Sequence, residues 1–515
     1  MKKLIYKISL FAGLATLLVS CADDFLDKPV YGVLAADDYF KTEEELQEGV
    51  FACYDVLQWA YTTDWNSMYA VKSFPADETH AGGGSDGDQP SYQQLDDFSY
   101  TAENKPIEHS FKSMYFGIMR ANAIINIAEG DTPTKVQMIA EAKALRAFFY
   151  FELVSMWGGV PLRLALPNSS EFALEKSTPE QIYAQIHKDL DEAIPNLPKK
   201  SEYPAAMRFR MSKGTAQALK GKAYLYQKKY PESAAAFEDV ITSNEYDLAP
   251  DYSKLFLKES EYGIESLFEV GYNIEGYDWG NFQWGGNRSM ENNINWQLMG
   301  PRGDYFVTGT SGLLPGWGFN YPTAKMAQAF DAEGDLVRKN ACILSVADLR
   351  TKYGGDWTED WTAADPVWGM EGYFRLKYGT LKSETVASPG VAELNYGTNV
   401  RLIRYADVLL MAAEANLLAG NVSTAQGYFT KVRDRVDLPV KTVTLDAIKT
   451  ERRLELAFEG FRFLDLIRWG DAATVLKNQG FKKNGNFAEK HNLYPIPSAE
   501  ILNNSKMTPN PGWGN

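Results

Sequence analysis

Two pairs of apolar segments with the same internal spacing constrain the fold of this chain more than any other feature. The step from Gly221 to Phe237 in the first pair equals the step from Ala413 to Phe429 in the second. A small residue lets two helices approach closely, and an aromatic ring on the returning helix fills the space beside the contact. The spacing predicts antiparallel helix hairpins and therefore a mainly α fold.

The same spacing is typical of tetratricopeptide repeats, whose helix hairpins stack into a continuous scaffold. The two pairs are far apart along the chain, so they are not adjacent copies in the sequence. Ordinary antiparallel helices can produce such a match, and that alternative stays open. We expect a tetratricopeptide-like helical-repeat scaffold with long inserted loops and little β structure.

Apolar residues that recur every three or four positions predict further helices. In the segment 134–157, Ala142, Leu145 and Phe149 fall on one face, and Gly158 ends the helix. The other predicted helices cover 42–60, 106–129, 179–194, 212–229, 231–243, 401–419, 423–436 and 444–469. Residues 61–105 and 250–400 lack a sustained helical period; the first segment predicts a long loop, and the second predicts mostly loop and short strand. Loops of this length in compact proteins are usually either binding surfaces or disordered.

Residues 1–21 have the pattern of an export signal. Lys2, Lys3 and Lys7 precede an apolar run at 8–19, which ends at Ser20 and Cys21. The run is shorter than the roughly 20 residues that span a bilayer. A cysteine directly after the small residue indicates a lipoprotein signal, in which Cys21 is lipidated and becomes the new N-terminus. A plain signal peptide that ends near a cysteine is the alternative.

The charge balance argues against nucleic acid as a partner. The chain carries 52 Lys and Arg against 67 Asp and Glu, a net charge of −15, and residues 1–20 contain only lysine charges. Such an acidic surface repels phosphate backbones and offers no basic patch for anionic lipid. Membrane attachment must then come from the acyl chains on Cys21. Cys53 and Cys342 are too few for a disulfide scaffold.

No sequence motif indicates catalysis or a metal centre. The four histidines lack metal-ligand spacing, and no G-x-S-x-G element is present. Asp86 and Asp88 beside the glycine-rich run 82–87 could touch a calcium ion, but they do not form a twelve-residue calcium loop. A pair of carboxylates that hydrolyses a glycosidic bond stays open as the least favoured alternative, because the sequence does not pair them. We expect a protein that is not an enzyme and needs no cofactor.

Aromatic residues in polar, glycine-rich loops indicate a ligand surface instead. Flat rings stack on the faces of sugars, while amides bind the hydroxyl groups. One group of rings lies within residues 277–321 and a second follows the first predicted helix, with Asp77 close behind. The candidate glycan-binding residues are Tyr61, Trp65, Asp77, Trp279, Trp284, Trp296 and Trp317. Packing of these rings against the helices is the competing interpretation for each of them.

Residues 451–470, which read ERRLELAFEGFRFLDLIRWG, resemble the signature of the SusD/RagB family of Bacteroidetes outer-membrane lipoproteins. Other similar segments follow the same order along the chain, at 141–147 with 157–161, at 404–415, and at 494–497 with 511–513. One departure is Asn504-Ser505, where the family often has Asn-Pro. The Arg and Glu residues of 451–468 are spaced for pairs at three and four positions on a helix, and we expect them to pack rather than to bind ligand.

The resemblance implies a cell-surface protein that binds poly- or oligosaccharides without cleaving them. Such proteins cover a SusC-like TonB-dependent transporter and pass glycans to it. Asp23 and Asp24 behind Cys21 resemble the signal that sends these lipoproteins to the outer face of the outer membrane. RagB-like relatives serve peptide uptake, so peptide capture is the main alternative. The ligand residues differ between members, and none is transferred by motif.

These features predict four regions. Residues 1–20 form the signal peptide and 21–40 a lipidated tether. Residues 41–250 form an N-terminal helical region that contains a binding loop at 61–105, and residues 251–515 form a C-terminal region with aromatic binding loops at 271–400.

Overall fold

The structure is a computed structural model, and it describes residues 39–62, 65–166, 172–280, 282, 292–362, 367–481 and 485–514. The predicted signal peptide, the lipidated Cys21 and nearly all of the predicted tether lie outside these residues. Within the described part of the chain, no helix is both long enough and apolar enough to cross a membrane.

Long helices dominate the N-terminal region and the last third of the chain, which confirms the mainly α fold. The N-terminal helices are Glu43–Thr62, Lys105–Ile127, Pro133–Trp157, Pro179–Ala193, Lys213–Tyr226 and Tyr230–Ile241. The C-terminal helices are Tyr405–Leu418, Val422–Asp434, Leu445–Glu455 and Arg462–Trp469. Shorter helices are Met68–Ser73, Pro90–Asp97, Asn295–Met299, Ala324–Glu333, Leu336–Cys342, Val346–Tyr353, Ala472–Val475 and Ser498–Asn503.

Helix Pro133–Trp157 lies at the centre of the N-terminal region. Thr132 caps its start by accepting a hydrogen bond from the backbone N–H of Lys135, and Gly158 ends it with a φ of 68°. The face predicted from the sequence is buried, but Phe148 and Phe151 on other faces are buried as well. The helix is covered on several sides, because helices Lys105–Ile127 and Pro179–Ala193 both pack against it.

The two helix pairs that are distant in sequence are neighbours in space. A side chain at Gly221 would meet the ring of Phe237 at 2.7 Å, so the predicted small-residue contact is present. Helix Tyr230–Ile241 packs against helix Tyr405–Leu418, and Tyr428 of the second pair donates a hydrogen bond to Glu238 of the first. This stacking is consistent with a tetratricopeptide-like scaffold in which the intervening residues are an insertion.

Short antiparallel strand pairs hold the inserted segments to the scaffold. In the described residues the strands are β1 (Thr79–Gly82), β2 (Ser266–Val270), β3 (Phe306–Val307), β4 (Phe319–Pro322), β5 (Ile343–Ser345), β6 (Asp356–Trp357), β7 (Tyr373–Arg375), β8 (Val400–Arg404), β9 (Lys477–Gln479) and β10 (Gly485–Asn486). The pairs are β1 with β4, β2 with β8, β3 with β6, β5 with β7 and β9 with β10. Residues 401–404, predicted as helix, belong to β8 because they pair with β2.

The segments predicted as long loops are more ordered than expected. Among the described residues, 61–105 contain two short α-helices and strand β1, and 250–400 contain four short α-helices together with short strands. These elements are too short to leave a periodic signal in the sequence. The predicted helix 444–469 is in fact two helices, since Phe458 and Gly460 adopt positive φ angles of 64° and 80° between them.

A buried network of ion pairs joins the C-terminal helices to the inserted segment. Arg404 contacts Glu265, Glu455 and Glu459 at 2.6–2.7 Å, with every side chain at most 1% exposed. Burial raises the pKa of the Glu455 carboxyl, but Arg435, Arg404 and Arg338 outweigh it and hold that pKa well below its usual value. The expected packing role is confirmed, although most pairs join different elements rather than successive turns of one helix.

Candidate functional site

Three tryptophans from separate parts of the chain lie in one row. The rings of Trp65 and Trp317 are 5.5 Å apart with 27° between their planes, and those of Trp317 and Trp279 are 6.1 Å apart with 18°. Carbon atoms in contact lie only about 3.5–4 Å apart, so these centroid distances require rings displaced sideways from one another. The row is therefore stepped, and its end at Trp279 is 44% exposed.

Hydrogen bonds to backbone groups hold the chain at Trp65 and Trp317. Trp65 follows helix Glu43–Thr62, and its carbonyl accepts a hydrogen bond from the hydroxyl of Tyr92 at 2.8 Å. Trp317 lies two residues before β4, and its backbone N–H donates to the carbonyl of Gln297 at 3.0 Å. Phe319 of β4 packs edge-on against Trp65 at 5.7 Å. The two rings are thus held before any ligand arrives.

The row borders an open cavity of about 460 Å³. This volume lies within the range of small-ligand sites in proteins. Trp65, Trp317 and Phe319 supply its aromatic side, and its polar side consists of Asp88, Gln297, Arg302, Asp304 and Glu393. The arrangement combines flat apolar rings with charged and amide groups, which is the chemistry that a sugar ring requires.

The glycine-rich loop at 82–87 forms part of the same site. A side chain at Gly83 would meet the ring of Phe319 at 2.6 Å, and one at Gly84 would meet the guanidinium of Arg302 at 3.2 Å. The backbone N–H of Gly84 donates to Asp88 at 2.8 Å. Glycine is therefore required here because the loop lies directly against the cavity wall.

The calcium alternative receives no support from this loop. Asp88 uses one carboxylate oxygen to accept from Gly84 and faces Arg302 at 3.7 Å, so a cation there would compete with the guanidinium. In the described ranges, no group of three or more His, Cys, Asp or Glu side chains could hold a metal ion.

Three of the predicted ligand residues are buried and do not belong to the site. Trp296 is 0% exposed, stacks on Tyr378 at 4.4 Å and donates its indole N–H to the carbonyl of Thr398. Tyr61 is buried, and its hydroxyl accepts a hydrogen bond from Lys72. The prediction of these two as surface rings was wrong because their polar atoms are satisfied inside the protein.

Asp77, the third of these residues, is buried and pairs with two arginines. It contacts Arg453 at 2.9 Å and Arg462 at 2.8 Å. Burial raises the pKa of its carboxyl, but the two guanidinium groups outweigh that effect and lower the pKa below its usual value. Its prediction as a ligand residue was wrong for this reason. Trp284 lies outside the described residues.

Several cavity residues were not predicted from the sequence, namely Gln297, Arg302, Asp304, Phe319 and Glu393. The pairing of β1 with β4 brings residues 79–82 beside 319–322 and so places the glycine-rich loop against this part of the chain. Of the polar wall, only Asp88 was singled out, as a candidate calcium ligand. The glycine run at 82–87 was the available signal in the sequence, because glycines often mark a place where the backbone lies close against another part of the protein.

A second cavity offers a less polar environment. It has about 430 Å³ and lies between helix Lys105–Ile127, residues 161–165 with Phe172, and the segment 500–507. Phe172 and Met119 are exposed at its edge. It lacks a row of stacked indoles among its described lining residues. We therefore take the cavity lined by Trp65 and Trp317, called the tryptophan cavity below, as the candidate site.

The fold and the candidate site define a mainly helical protein with an aromatic-lined cavity between its inserted segments. Two family profiles match the chain, the SusD family over residues 350–513 and a family described as starch-binding associating with outer membrane over residues 24–225. The chain belongs to the SusD family.

Known structures and sequences agree with this assignment. A laminarin-binding SusD-like protein is 33% identical, with a TM-score of 0.82 over 92% of this chain and 100% of that one. Surface glycan-binding protein A from Bacteroides thetaiotaomicron, in complex with laminarihexaose, is 27% identical, with a TM-score of 0.77 over 91% of this chain and 99% of that one. A SusD-like protein of Formosa agariphila is 27% identical over 507 residues, which are 93% of each chain.

Proposed function

We propose that this chain is a cell-surface lipoprotein that binds poly- or oligosaccharides at the row formed by Trp65, Trp317 and Trp279. The stepped row beside a cavity with polar walls is the observation that carries the proposal. A similar protein named for laminarin binding, and a similar surface glycan-binding protein in complex with laminarihexaose, support a β-glucan of the laminarin type as the first ligand to test.

The energetics of stacking require more than one ring. Covering one sugar face contributes about 1–2 kcal/mol through the apolar area removed from water. Micromolar affinity requires about 8 kcal/mol, so several stacked faces must combine with hydrogen bonds. Three neighbouring indoles and a charged wall provide both kinds of contact.

The same proposal includes delivery of the bound glycan to a transporter without cleavage of the glycan. The protein would hold the glycan for a SusC-like TonB-dependent transporter in the outer membrane and would leave glycosidic bonds intact. Its support is the family membership, the outer-membrane association in one family's description, and the lipoprotein signal that ends at Cys21 with Asp23 and Asp24 behind it. Incubation with laminarin should therefore release no new reducing ends.

Binding should depend on the tryptophan row. Replacing Trp317 or Trp65 by Ala removes a stacking surface, and we expect each change to weaken laminarin binding at least tenfold, equivalent to about 1.4 kcal/mol. Isothermal titration calorimetry measures this effect. Phe172→Ala is the matched control, because it removes an exposed ring, 58% accessible, from the second cavity.

Two results would contradict the proposal. Unchanged affinity in Trp317→Ala together with lost affinity in Phe172→Ala would move the site to the second cavity. Saturable binding of peptides, with no binding to any glycan of a polysaccharide panel, would favour the peptide-capture alternative.

A further inference from the structure

The polar wall of the tryptophan cavity has an excess of negative charge. Asp88, Asp304 and Glu393 contribute three carboxylates, and among the described residues that line this cavity only Arg302 carries a positive charge. The side chains remain accessible to a ligand, since Arg302 is 27% exposed and Asp304 is 65% exposed. A ligand in the cavity therefore meets a net negative surface.

Arg302 is already engaged by two of these carboxylates. Its Nε lies 2.9 Å from Asp304 and its Nη1 lies 3.7 Å from Asp88. The backbone holds Arg302 in place, because its N–H donates to the hydroxyl of Tyr321 at 3.0 Å and Gly84 packs on its guanidinium. The guanidinium is thus partly neutralised and cannot serve as a strong anion site.

Glu393 faces the cavity without a partner of its own. In the described part of the chain, its half-buried carboxylate has no hydrogen bond or ion pair. A carboxylate accepts hydrogen bonds strongly, and sugar hydroxyls are donors that can supply them. A sulfate or carboxylate substituent supplies no donor and adds a like charge.

We propose that Asp88, Asp304, Glu393 and Arg302 make this site selective for uncharged glycans and exclude chains that carry sulfate or carboxylate groups. Hydroxyl groups of a neutral sugar donate to the carboxylates while the rings stack on the tryptophans. An anionic chain would meet uncompensated repulsion at the same contacts. This inference rests on the proposed function and names the class of glycan that the site accepts.

The test compares neutral laminarin with a partially sulfated preparation of the same laminarin. Isothermal titration should show at least tenfold weaker binding of the sulfated polymer at about 0.05 M salt, where screening is weak. The difference should narrow at about 0.5 M salt, where the Debye length shortens. Asp304→Asn and Glu393→Gln should each reduce the ratio between the two affinities severalfold.

A matched variant separates local from overall charge. Asp446→Asn removes the same charge from an exposed position in the first turn of helix Leu445–Glu455, and it should leave the affinity ratio unchanged. Equal binding of both polymers, or a ratio that Asp446→Asn alters as much as Asp304→Asn, would overturn this inference alone. Binding of anionic glycans alone would also overturn only this inference, whereas failure to bind any glycan, neutral or anionic, would overturn the proposed function and this inference with it.

Discussion

Glu78 is a buried acid between Asp77 and the start of β1. Its Oε2 accepts the backbone N–H of Phe458 at 3.1 Å, whereas Oε1 has no hydrogen-bond partner among the described residues. Burial, and then the neighbouring charge of Asp77, raises the pKa of Glu78 from 4.5 to about 7. An uncharged carboxyl therefore suits this environment better than a carboxylate does.

Replacing Glu78 by Gln should change how stability depends on pH. The folded pKa is raised, so the contribution of Glu78 to stability is fully present below about pH 4.5 and is lost as pH rises towards 7. Gln cannot ionise. We expect the stability of Glu78→Gln relative to wild type to increase by about 2–3 kcal/mol between pH 4.5 and 7.5, measured by urea denaturation.

An exposed glutamate provides a control of opposite sign. Hydrogen bonds from its own backbone N–H and from Thr178 lower the pKa of Glu180. Its contribution is present above the unfolded pKa, so Glu180→Gln should lose stability relative to wild type as pH rises. A pH-independent difference for Glu78→Gln would contradict the prediction.

At the scale of single residues, the sequence indicated the type of site but not its members. Trp296 and Trp317 lie in the same aromatic segment, yet only Trp317 lines the cavity. The difference arises from tertiary partners, because Trp296 finds Tyr378 and Thr398 far along the chain. Local sequence carries no information on such contacts.

At the scale of helices and strands, the helix hairpins could be predicted from the sequence, because their contacts join residues that are close along the chain. Gly221 and Phe237 meet across one short turn, and Ser233 also donates to the carbonyl of Gly221 at 2.9 Å. The spacing in the sequence therefore predicted the contact correctly. Short strands were predicted within 250–400 but could not be placed individually, because elements of so few residues leave no measurable period.

Alanine substitution should have opposite effects at two helical glycines. A methyl group at Gly221 would overlap the fully buried ring of Phe237, and we expect Gly221→Ala to cost about 1–3 kcal/mol. Gly427, in helix Val422–Asp434, has no atom within 4 Å of the new methyl group. Gly427→Ala should stabilise by up to about 1 kcal/mol through helix propensity.

Chemical denaturation of both variants measures these changes. Stabilisation of Gly221→Ala by as much as Gly427→Ala would show that the hairpin tolerates the added volume. The inferred tight contact between helices Lys213–Tyr226 and Tyr230–Ile241 would then be contradicted.

At the scale of the whole molecule, the buried ion pairs unite regions that the sequence divides at 250/251. Asp77 of the N-terminal region pairs with Arg453 at 2.9 Å and with Arg462 at 2.8 Å, both in the C-terminal region. Trp157 of the N-terminal region donates to the carbonyl of Pro495 at 3.0 Å. The position of the domain boundary stays a prediction, but the two regions share one core.

Removing Arg404 should destabilise the protein strongly. Arg404→Gln leaves three carboxylates buried with fewer cations, and loss of one partner of a buried pair costs about 3–5 kcal/mol. Arg350→Gln breaks the pair with Asp356, in which the side chains are 50% and 47% exposed, and should cost at most about 1 kcal/mol. Urea denaturation measures the loss of stability in each variant. Equal losses in the two variants would contradict a structural role for the buried ion pairs of Arg404.

The pairing of β2 with β8 has a consequence for how such proteins diversify. Val270 and Val400 are cross-strand neighbours, so the segment 271–399 between them leaves and rejoins the scaffold at adjacent points. Length and sequence in this segment can change while the helix hairpins keep their packing. Exchanging the segment between relatives is therefore a direct route to new ligand preferences on one inherited framework, provided that the loop carrying Trp65 is exchanged with it.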